Sequence, residues 1–279
     1  MSKLISIMEA ASLIKDGDMV GLGGNVLHRA PMAMIRELIR QNKRYLRVVK
    51  TAGAMDIDML CFGGCVSSVD AGFISYETEF GLAAHYRKAV EAGEVQANEH
   101  ACYTVICALR AAQMGAPFMP VKGLRESDLL KVADYFKIVP DPFSGEAVTV
   151  VRALNPDAAI IHVQEADVMG NARILGPKYE DVLLSRAAEK VIITAEKIVS
   201  TTKASYNPES IDIPSFLVSA VVHVPFGSSP CSCHSLYDID RRNIETFKNL
   251  TGRDGLTNYL AAYERKDRWG NNGRAGDIR

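Results

Sequence analysis

The stretch that decides the fold begins Asp18-Met19-Val20-Gly21-Leu22-Gly23-Gly24-Asn25, continues through Arg29-Ala30-Pro31 and ends Met32-Ala33-Met34-Ile35-Arg36-Glu37-Leu38-Ile39. A short apolar run ends in closely spaced glycines, and Pro31 then opens a segment of helical periodicity. Proline at the first helical position has its φ preset and gives up no needed donor, while glycines let backbone N–H groups converge on a ligand. The stretch predicts a strand, a loop and a helix, with a loop suited to an anion or a developing oxyanion.

The glycine loop departs from two nucleotide-binding patterns. Val26 stands where the dinucleotide fingerprint needs its third glycine, and no Gly-Lys-Ser/Thr sequence closes the loop as in a P-loop. A tight turn between strand and helix, without any ligand, explains the glycines equally well. The loop alone leaves both interpretations open.

Strands and helices alternate along most of the chain. Leu46–Thr51 predicts the strand that follows the helix from Pro31, so the first two strands form a βαβ unit with a right-handed crossover. Runs such as Ala159-Ile160-Ile161 are apolar throughout, which is typical of parallel strands covered on both faces. Further strands are expected at Val66–Phe73, Ala147–Val151, Ala158–Val163, Val191–Thr194 and Ser219–Val224, and helices after the Ser6/Glu9 capping box and at Thr78–Ala92, Asn98–Met114, Ser127–Tyr135 and Lys178–Ala188.

This pattern predicts an α/β fold with a mostly parallel sheet covered by helices on both faces. No linker or repeat divides the chain, so we expect one domain at residues 1–264. The polar, glycine-containing segment 265–279 is predicted to be a frayed C-terminal tail.

Composition excludes several classes of protein. The 279 residues carry a formal net charge of −1 and are 48% hydrophobic, which suits a large core and provides no basic stripe for nucleic acid. No cationic start precedes a long apolar run, and no stretch has the length of a membrane span. We expect a cytoplasmic protein that contacts neither nucleic acid nor a membrane.

The six cysteines are expected to be reduced thiols, since the sequence shows no secretion signal. Cys231-Ser232-Cys233-His234 invites a metal interpretation, but a second ligand pair at zinc spacing is missing. Small buried residues beside a loop are the favoured account. No metal site is predicted. His162 ends an apolar strand and is expected to be a satisfied core or rim histidine.

Five stretches between residue 18 and about residue 240 form an ordered set that is more specific than any one of them. They are Gly21-Leu22-Gly23-Gly24 with Arg29-Ala30-Pro31, the run from Ala111 to Pro120, the run from Asp157 to Asp167 with Gly170-Asn171, Asp212-Ile213-Pro214, and Val224-Pro225-Phe226-Gly227 through Pro230 to Tyr237-Asp238. The ordered set resembles the A (alpha) subunit of family I coenzyme A transferases, most closely the glutaconate CoA-transferase type. The resemblance implies the CoA-transferase (NagB/RpiA-like) α/β fold.

The resemblance also implies a heteromeric enzyme that moves CoA from an acyl-CoA to a free carboxylic acid. In this family a glutamate carboxylate attacks the thioester, giving a mixed anhydride and then a glutamyl-CoA thioester, which is covalent catalysis. In two-chain members that glutamate belongs to the B (beta) subunit. A beta subunit is therefore the expected partner, in a heterotetramer or larger assembly, with CoA as a substrate and no bound cofactor.

The family's nucleophile lies in a Glu-x-Gly motif that follows a strand. Glu79-Phe80-Gly81 and Glu91-Ala92-Gly93 match the three residue types, but the first falls in a predicted helix and the second ends one. No transferase nucleophile is assigned to this chain.

Carried onto this sequence, the resemblance gives a set of site residues. Gly21, Gly23 and Gly24 would offer N–H donors to the thioester oxygen, and Arg29 and Ser75 would line the acyl pocket. Arg29 could clamp a carboxylate or lie on the surface. Asn25 stands where the family commonly has an aromatic, which implies a smaller or more polar acyl group.

Glu99 carries an alternative hypothesis. Some members of the family open a ring or hydrolyse a carbon–carbon bond in a CoA-linked substrate, with a glutamate of the alpha chain in this neighbourhood. A first-turn glutamate favoured by the helix dipole is the simpler explanation. A sugar-phosphate-sensing regulator is a more distant alternative, and the sequence offers no DNA-binding helix or basic patch for it.

Overall fold

The computed structural model describes residues 1–124, 126–202 and 208–269. Its main sheet has eight strands. Seven run parallel in the order β11-β10-β8-β1-β2-β3-β4, and the short β9 pairs antiparallel with β8. The strands are β1 Met19–Leu22, β2 Leu46–Gly53, β3 Val66–Ile74, β4 Gln96–Glu99, β5 Phe118–Val121, β6 Phe136–Pro140, β7 Ala147–Arg152, β8 Ala158–Asp167, β9 Ala172–Arg173, β10 Lys190–Val199 and β11 Ala220–His223.

Helices cover both faces of this sheet, as predicted. They are α1 Ile7–Ser12, α2 Met32–Arg40, α3 Met55–Phe62, α4 Glu77–Phe80, α5 Ala84–Glu91, α6 Cys102–Gln113, α7 Leu129–Val132, α8 Asp181–Ala187, α9 Arg241–Lys248 and α10 Gly252–Trp269. Alternate residues of the strands enter separate cores: Val48 and Ile160 pack into the core that includes α2, whereas Val49 and Ile161 pack into the core that includes α6. This doubly covered parallel sheet confirms the predicted fold class.

The predicted βαβ unit lies at the centre of the sheet. β1 pairs in parallel with β2 on one side and with β8 on the other, where Gly21 is opposite Val49 and Ala159. The carboxyl ends of parallel strands meet at a single edge of a sheet, and ligand clefts form along that edge. The glycine loop therefore opens at the carboxyl edge, in the middle of the molecule.

Several predicted elements differ from the structure in type, in extent or in the sheet that they join. The strand expected at Ala147–Val151 is present as β7, but it belongs to a separate three-stranded antiparallel sheet, β5-β7-β6. The helix expected at Thr78–Ala92 is broken at Gly81, whose φ of +73° ends α4. Gln96–Glu99 pairs with β3, so the next helix begins at Cys102 instead of Asn98.

The C-terminal helix changes the predicted domain boundary. α10 continues to Trp269, and Asp267 within it is buried, so a frayed tail does not begin at residue 265. Residues 270–279 of that predicted tail lie outside the described residues. None of the described helices combines the length and apolarity that crossing a bilayer requires.

Candidate active site

A polar cleft of about 560 Å³ opens at the carboxyl edge of the sheet. One wall is the loop after β1, the second is the segment before α8, and the third is the loop between β11 and α9. Its lining residues are His28, Arg29, Pro177, Tyr179, Ser232, His234, Ser235, Tyr237, Asp238, Ile239 and Arg241. Arg29 alone among them belongs to the site residues predicted from the sequence.

The backbone donors of the glycine loop are already engaged. The N–H of Gly23 donates to the Ile160 carbonyl at 2.9 Å, and the N–H of Asn25 donates to the His28 carbonyl at 2.9 Å. The N–H of Gly24 donates to Oδ1 of Asp181 at 2.8 Å. The donors predicted for a thioester oxygen at Gly23 and Gly24 are therefore taken up within the chain in this conformation.

Close packing explains the glycines instead. A Cβ on Gly21, which lies inside β1, would clash with Cδ1 of Leu184. A Cβ on Gly24, whose φ is +72°, would stand 2.5 Å from the carbonyl oxygens of His28 and Arg29. The absence of a side chain lets β1 pass close to Leu184 at Gly21 and lets the loop turn tightly against the backbone of His28 and Arg29 at Gly24.

Arg29 is neither a free carboxylate clamp nor a surface residue. Its side chain is buried and forms an ion pair with Asp181 at 2.5 Å. The guanidinium also donates to the carbonyls of His162 at 2.7 Å and Pro177 at 3.1 Å. Because Asp181 accepts the Gly24 N–H as well, this pair ties the glycine loop to the start of α8.

A second buried ion pair lies beneath the same loop. Lys50 pairs with Asp56 at 2.5 Å, with both side chains fully buried, and its ammonium also donates to the Gly23 carbonyl at 2.9 Å. On the next residue of β2, the Thr51 hydroxyl donates to Glu180. Burial raises the pKa of Glu180. The backbone of the loop is thus fixed by side chains from two elements, Lys50 of β2 and Asp181 of α8.

A hydrogen-bonded network joins β8, β10 and the loop after β11. In His162, Nδ1 lies 2.8 Å from Oγ1 of Thr194 and Nε2 lies 2.7 Å from Oε1 of Glu196. Glu196 also accepts the N–H of Phe226 at 2.7 Å and the hydroxyl of Tyr237. Burial alone would raise the pKa of Glu196, but these hydrogen bonds and the His162 charge outweigh it and lower that pKa. His162 is a satisfied buried histidine, as predicted.

This network includes the one set of metal-type ligands found among the described residues. The ligand atoms of His162, Glu196 and Cys233 lie within 4.8 Å of one another. Burial and the Glu196 charge raise the pKa of Cys233 to about 12, which disfavours the thiolate that metals prefer. The two nitrogens of His162 are occupied by Thr194 and Glu196, so the set as found is a hydrogen-bonded network. The Cys231–His234 motif forms no common site, because both cysteines are buried and His234 is exposed.

Ser75 and Glu99 lie farther along the same edge, after β3 and at the end of β4. The Ser75 hydroxyl donates to the Gly81 carbonyl at 3.0 Å, so it shapes the turn that precedes α5. Glu99 is exposed and ends a strand, which overturns its interpretation as a residue of the first helical turn. The cleft lining includes neither residue.

The sequence offered little signal for the buried partners. Glu196 lies 34 residues from His162 and 41 from Tyr237 along the chain, and Asp181 lies 157 residues from Gly24. The clearest available hint was Lys50, which follows Val48-Val49 within a predicted strand, since a charge that is buried there needs a partner.

A parallel sheet with a polar cleft at its carboxyl edge is typical of α/β proteins that bind a small molecule. The chain belongs to the coenzyme A transferase family, whose sequence profile matches residues 4–224. The A (alpha) subunit of glutaconate CoA-transferase from Acidaminococcus fermentans is 32% identical over 90% of this chain and 84% of its own length. The crystal structure of that enzyme matches with a TM-score of 0.86, covering 95% of this chain and 88% of that one.

Other relatives carry different names. A structure of a cysteine-to-serine variant of the decarboxylase AibA/AibB also has a TM-score of 0.86, at 31% identity over 95% of this chain and 99% of that one. A cholesterol ring-cleaving hydrolase IpdA subunit of Rhodococcus jostii is 33% identical over 81% of this chain and 80% of its own length. An uncharacterised protein of Archaeoglobus fulgidus is 40% identical over 94% of this chain, which spans 59% of the length of that protein.

Proposed function

We propose that this chain is the alpha subunit of a heteromeric CoA-transferase that moves CoA between an acyl-CoA and a free carboxylic acid. Family membership and the likeness to the alpha subunit of glutaconate CoA-transferase support the reaction class. The nucleophilic glutamate is expected on a beta subunit. Coenzyme A is then a substrate and not a resident cofactor.

The observation that carries this proposal is the apolar rim of the cleft. Tyr179 lines the cleft and is 39% exposed. Phe226, 45% exposed, packs against the ring of the lining residue Tyr237, and Leu236, 51% exposed, precedes Tyr237 in the chain. Large apolar side chains grouped around a cleft mark a surface that another molecule covers. A second polypeptide closing over this rim would complete the site, in a heterotetramer or larger assembly.

The two Glu-x-Gly sequences of the chain are poorly placed for nucleophilic attack. Glu79 lies in α4 and pairs with Arg241 at 2.5 Å, while Glu91 ends α5 and pairs with Arg87 at 2.7 Å. Glu79 is engaged by Arg241, a residue of the cleft lining, and Glu91 lies at the end of a helix. This placement favours a nucleophile from the partner chain.

The role of the glycine loop is revised accordingly. Gly21, Gly23 and Gly24 give the loop its shape, and Arg29 fixes it to Asp181. The half-buried Asn25 and the exposed His28, whose Nδ1 lies 2.7 Å from Oγ of Ser232, are left to contact a polar acyl group. Ser75, which was predicted to line the acyl pocket, lies outside the cleft lining and is assigned to the edge that the beta subunit would cover.

All six cysteines are free thiols in the structure. Reduced cysteines are typical of the cytoplasm, where we place the protein.

Reconstitution tests the proposal directly. The purified chain should exchange no CoA between an acyl-CoA and a labelled carboxylic acid, and addition of the beta subunit should produce exchange. The beta subunit is sought in the adjacent reading frame as a chain with a strand-borne Glu-x-Gly. Robust transfer by the isolated chain would overturn the assignment.

A hydrolase or lyase acting on CoA-linked fragments is the alternative. It is favoured by the exposed Glu99 at the carboxyl edge and by the relatives named as a decarboxylase and as part of a hydrolase. Glu99→Gln separates the two functions. CoA transfer by the assembled enzyme should survive this substitution, whereas base chemistry that uses Glu99 should collapse.

A further inference from the structure

The hairpin that joins β6 to β7 has an ordered tip. The N–H of Asp141 donates to the Glu146 carbonyl at 2.8 Å, and the N–H of Gly145 donates to the Asp141 carbonyl at 2.8 Å. Oδ1 of Asp141 accepts the N–H groups of Phe143 at 2.8 Å and Ser144 at 3.3 Å. Four hydrogen bonds therefore preset the tip, so little conformational freedom remains to be lost when it contacts another molecule.

This ordered tip presents an apolar side chain to water. Phe143 is 98% exposed, and Ile138 on β6 is 61% exposed. Beside them lies a groove of about 420 Å³ lined by Ile138, Glu146, Ala147 and Thr149. A projecting aromatic ring next to a groove is the arrangement of an interface anchor, and buried aromatic anchors contribute much of the binding energy of protein complexes.

The hairpin is rooted at the edge of the sheet that carries the cleft. Tyr135, immediately before β6, donates its hydroxyl to the Glu99 carbonyl at 2.7 Å, and its ring stacks on His100 with centroids 4.6 Å apart. The root of the hairpin therefore adjoins the carboxyl edge that the proposed beta subunit covers. This adjacency indicates which partner meets Phe143.

The free edge of β6 is unsuited to the addition of a strand from another chain. β6 is an outer strand of its sheet and contains Pro140, which lacks an N–H, and the exposed Lys137. Proline and lysine on an edge strand hinder strand addition by any other chain, a second copy and the beta subunit alike. A partner would therefore contact the hairpin through side chains at its tip.

We infer that the β6–β7 hairpin is an arm that grips the beta subunit, with Phe143 inserted into an apolar pocket of that subunit while the Ile138 groove receives one of its side chains. This inference rests on the proposed function. It adds a contact remote from the cleft that holds the two halves of the site together.

The test measures the affinity of the full-length chain for the purified beta subunit by isothermal titration calorimetry. Phe143→Ser should weaken the complex by about 30-fold or more, the loss typical of an aromatic anchor, and Ile138→Ser should weaken it as well. The matched control is Phe216→Ser. Phe216 is 81% exposed and lies just before the start of β11, at the opposite edge of the sheet, and its substitution should leave the affinity unchanged.

The outcomes separate this inference from the proposed function. If the unmodified chain exchanges CoA with its beta subunit while Phe143→Ser binds that subunit equally well, the arm is overturned and the transferase assignment stands. If Phe143→Ser instead dissociates a homodimer of the isolated chain, seen by sedimentation, and leaves the affinity for the beta subunit unchanged, the chosen partner is wrong. Absence of any complex with the unmodified chain refutes the proposed function itself.

Discussion

Asp267→Asn should destabilise the protein strongly, because it leaves a buried arginine without its counter-charge. Arg36 on α2 is fully buried, and its Nε and Nη2 donate to the two carboxylate oxygens of Asp267 on α10, each at 2.7 Å. Its third nitrogen donates to the Ser229 carbonyl at 2.7 Å. Burial alone would lower the pKa of Arg36, but the charge and hydrogen bonds of Asp267 together with the nearby Tyr259 and Tyr263 outweigh burial and raise that pKa, so the guanidinium stays charged.

The size of the effect follows from this burial. Removing one partner of a buried ion pair typically costs about 3–5 kcal/mol, because the remaining charge is left unsolvated. Arg40 also contacts Asp267, at 2.9 Å, so two cations lose a partner. We expect Asp267→Asn to lower the free energy of unfolding by about 4 kcal/mol, measured by urea denaturation monitored by circular dichroism.

An exposed pair provides the control. Lys131 and Asp128 lie 2.7 Å apart with side chains 78% and 86% exposed, and Asp128→Asn should cost less than about 1 kcal/mol. The double variant Arg36→Met with Asp267→Leu should recover much of the loss, since it removes both buried charges. If the free energies of unfolding of Asp267→Asn and of the unmodified protein differ by less than about 1 kcal/mol, the bidentate pair does not hold α10 against α2.

Two further predictions concern the walls of the cleft. Gly24→Ala should lower the free energy of unfolding by about 2 kcal/mol more than Gly93→Ala does. Both glycines have positive φ, but only at Gly24 do backbone oxygens lie 2.5 Å from the added Cβ, whereas Gly93 faces open space. Equal unfolding midpoints of the two variants in urea would contradict the clash. Glu196 has a lowered pKa in the folded protein, so its stabilising contribution is present above its ordinary pKa of 4.5 and is lost as pH falls through the lowered value. The stability difference between the unmodified protein and Glu196→Gln should therefore shrink on acidification below pH 4.5. Thermal melts of both proteins at several pH values measure this difference, and a difference that does not change with pH would contradict the prediction.

The central βαβ unit was predictable because its signals are local. An apolar run, close glycines and Pro31 specify a strand, a turn and a helix in one short stretch, and the structure has β1, the loop and α2 in that order. Helix α3 escaped prediction for the opposite reason. Every residue from Met55 to Cys61 is buried, including Asp56 and Asp58, so the segment has no polar face to give a helical period.

The site was less predictable than the fold because its contacts are distant in sequence. Arg29 pairs with Asp181, and Glu196 pairs with His162, although the partners are far apart in the sequence and no local pattern encodes the contacts. The family resemblance directed attention to the glycine loop but could not show that its N–H donors are already engaged. Whether a backbone N–H is free depends on what α8 and β8 place against it, and that is settled only by the tertiary structure.

The N–H donors of the glycine loop are all engaged, and this affects how the two subunits of the proposed heteromer would share the chemistry. An oxyanion hole needs donors that are unoccupied before substrate arrives, yet the N–H groups of Gly23, Gly24 and Asn25 all have acceptors within the chain. Freeing the Gly24 donor would leave Asp181 with the Arg29 charge alone, inside a buried site where lost hydrogen bonds are costly. In the proposed heteromer, oxyanion donors supplied by the partner together with its nucleophile would avoid that cost. The alpha chain would then contribute a rigid wall, polar side chains such as His28 and an apolar rim for the partner to cover.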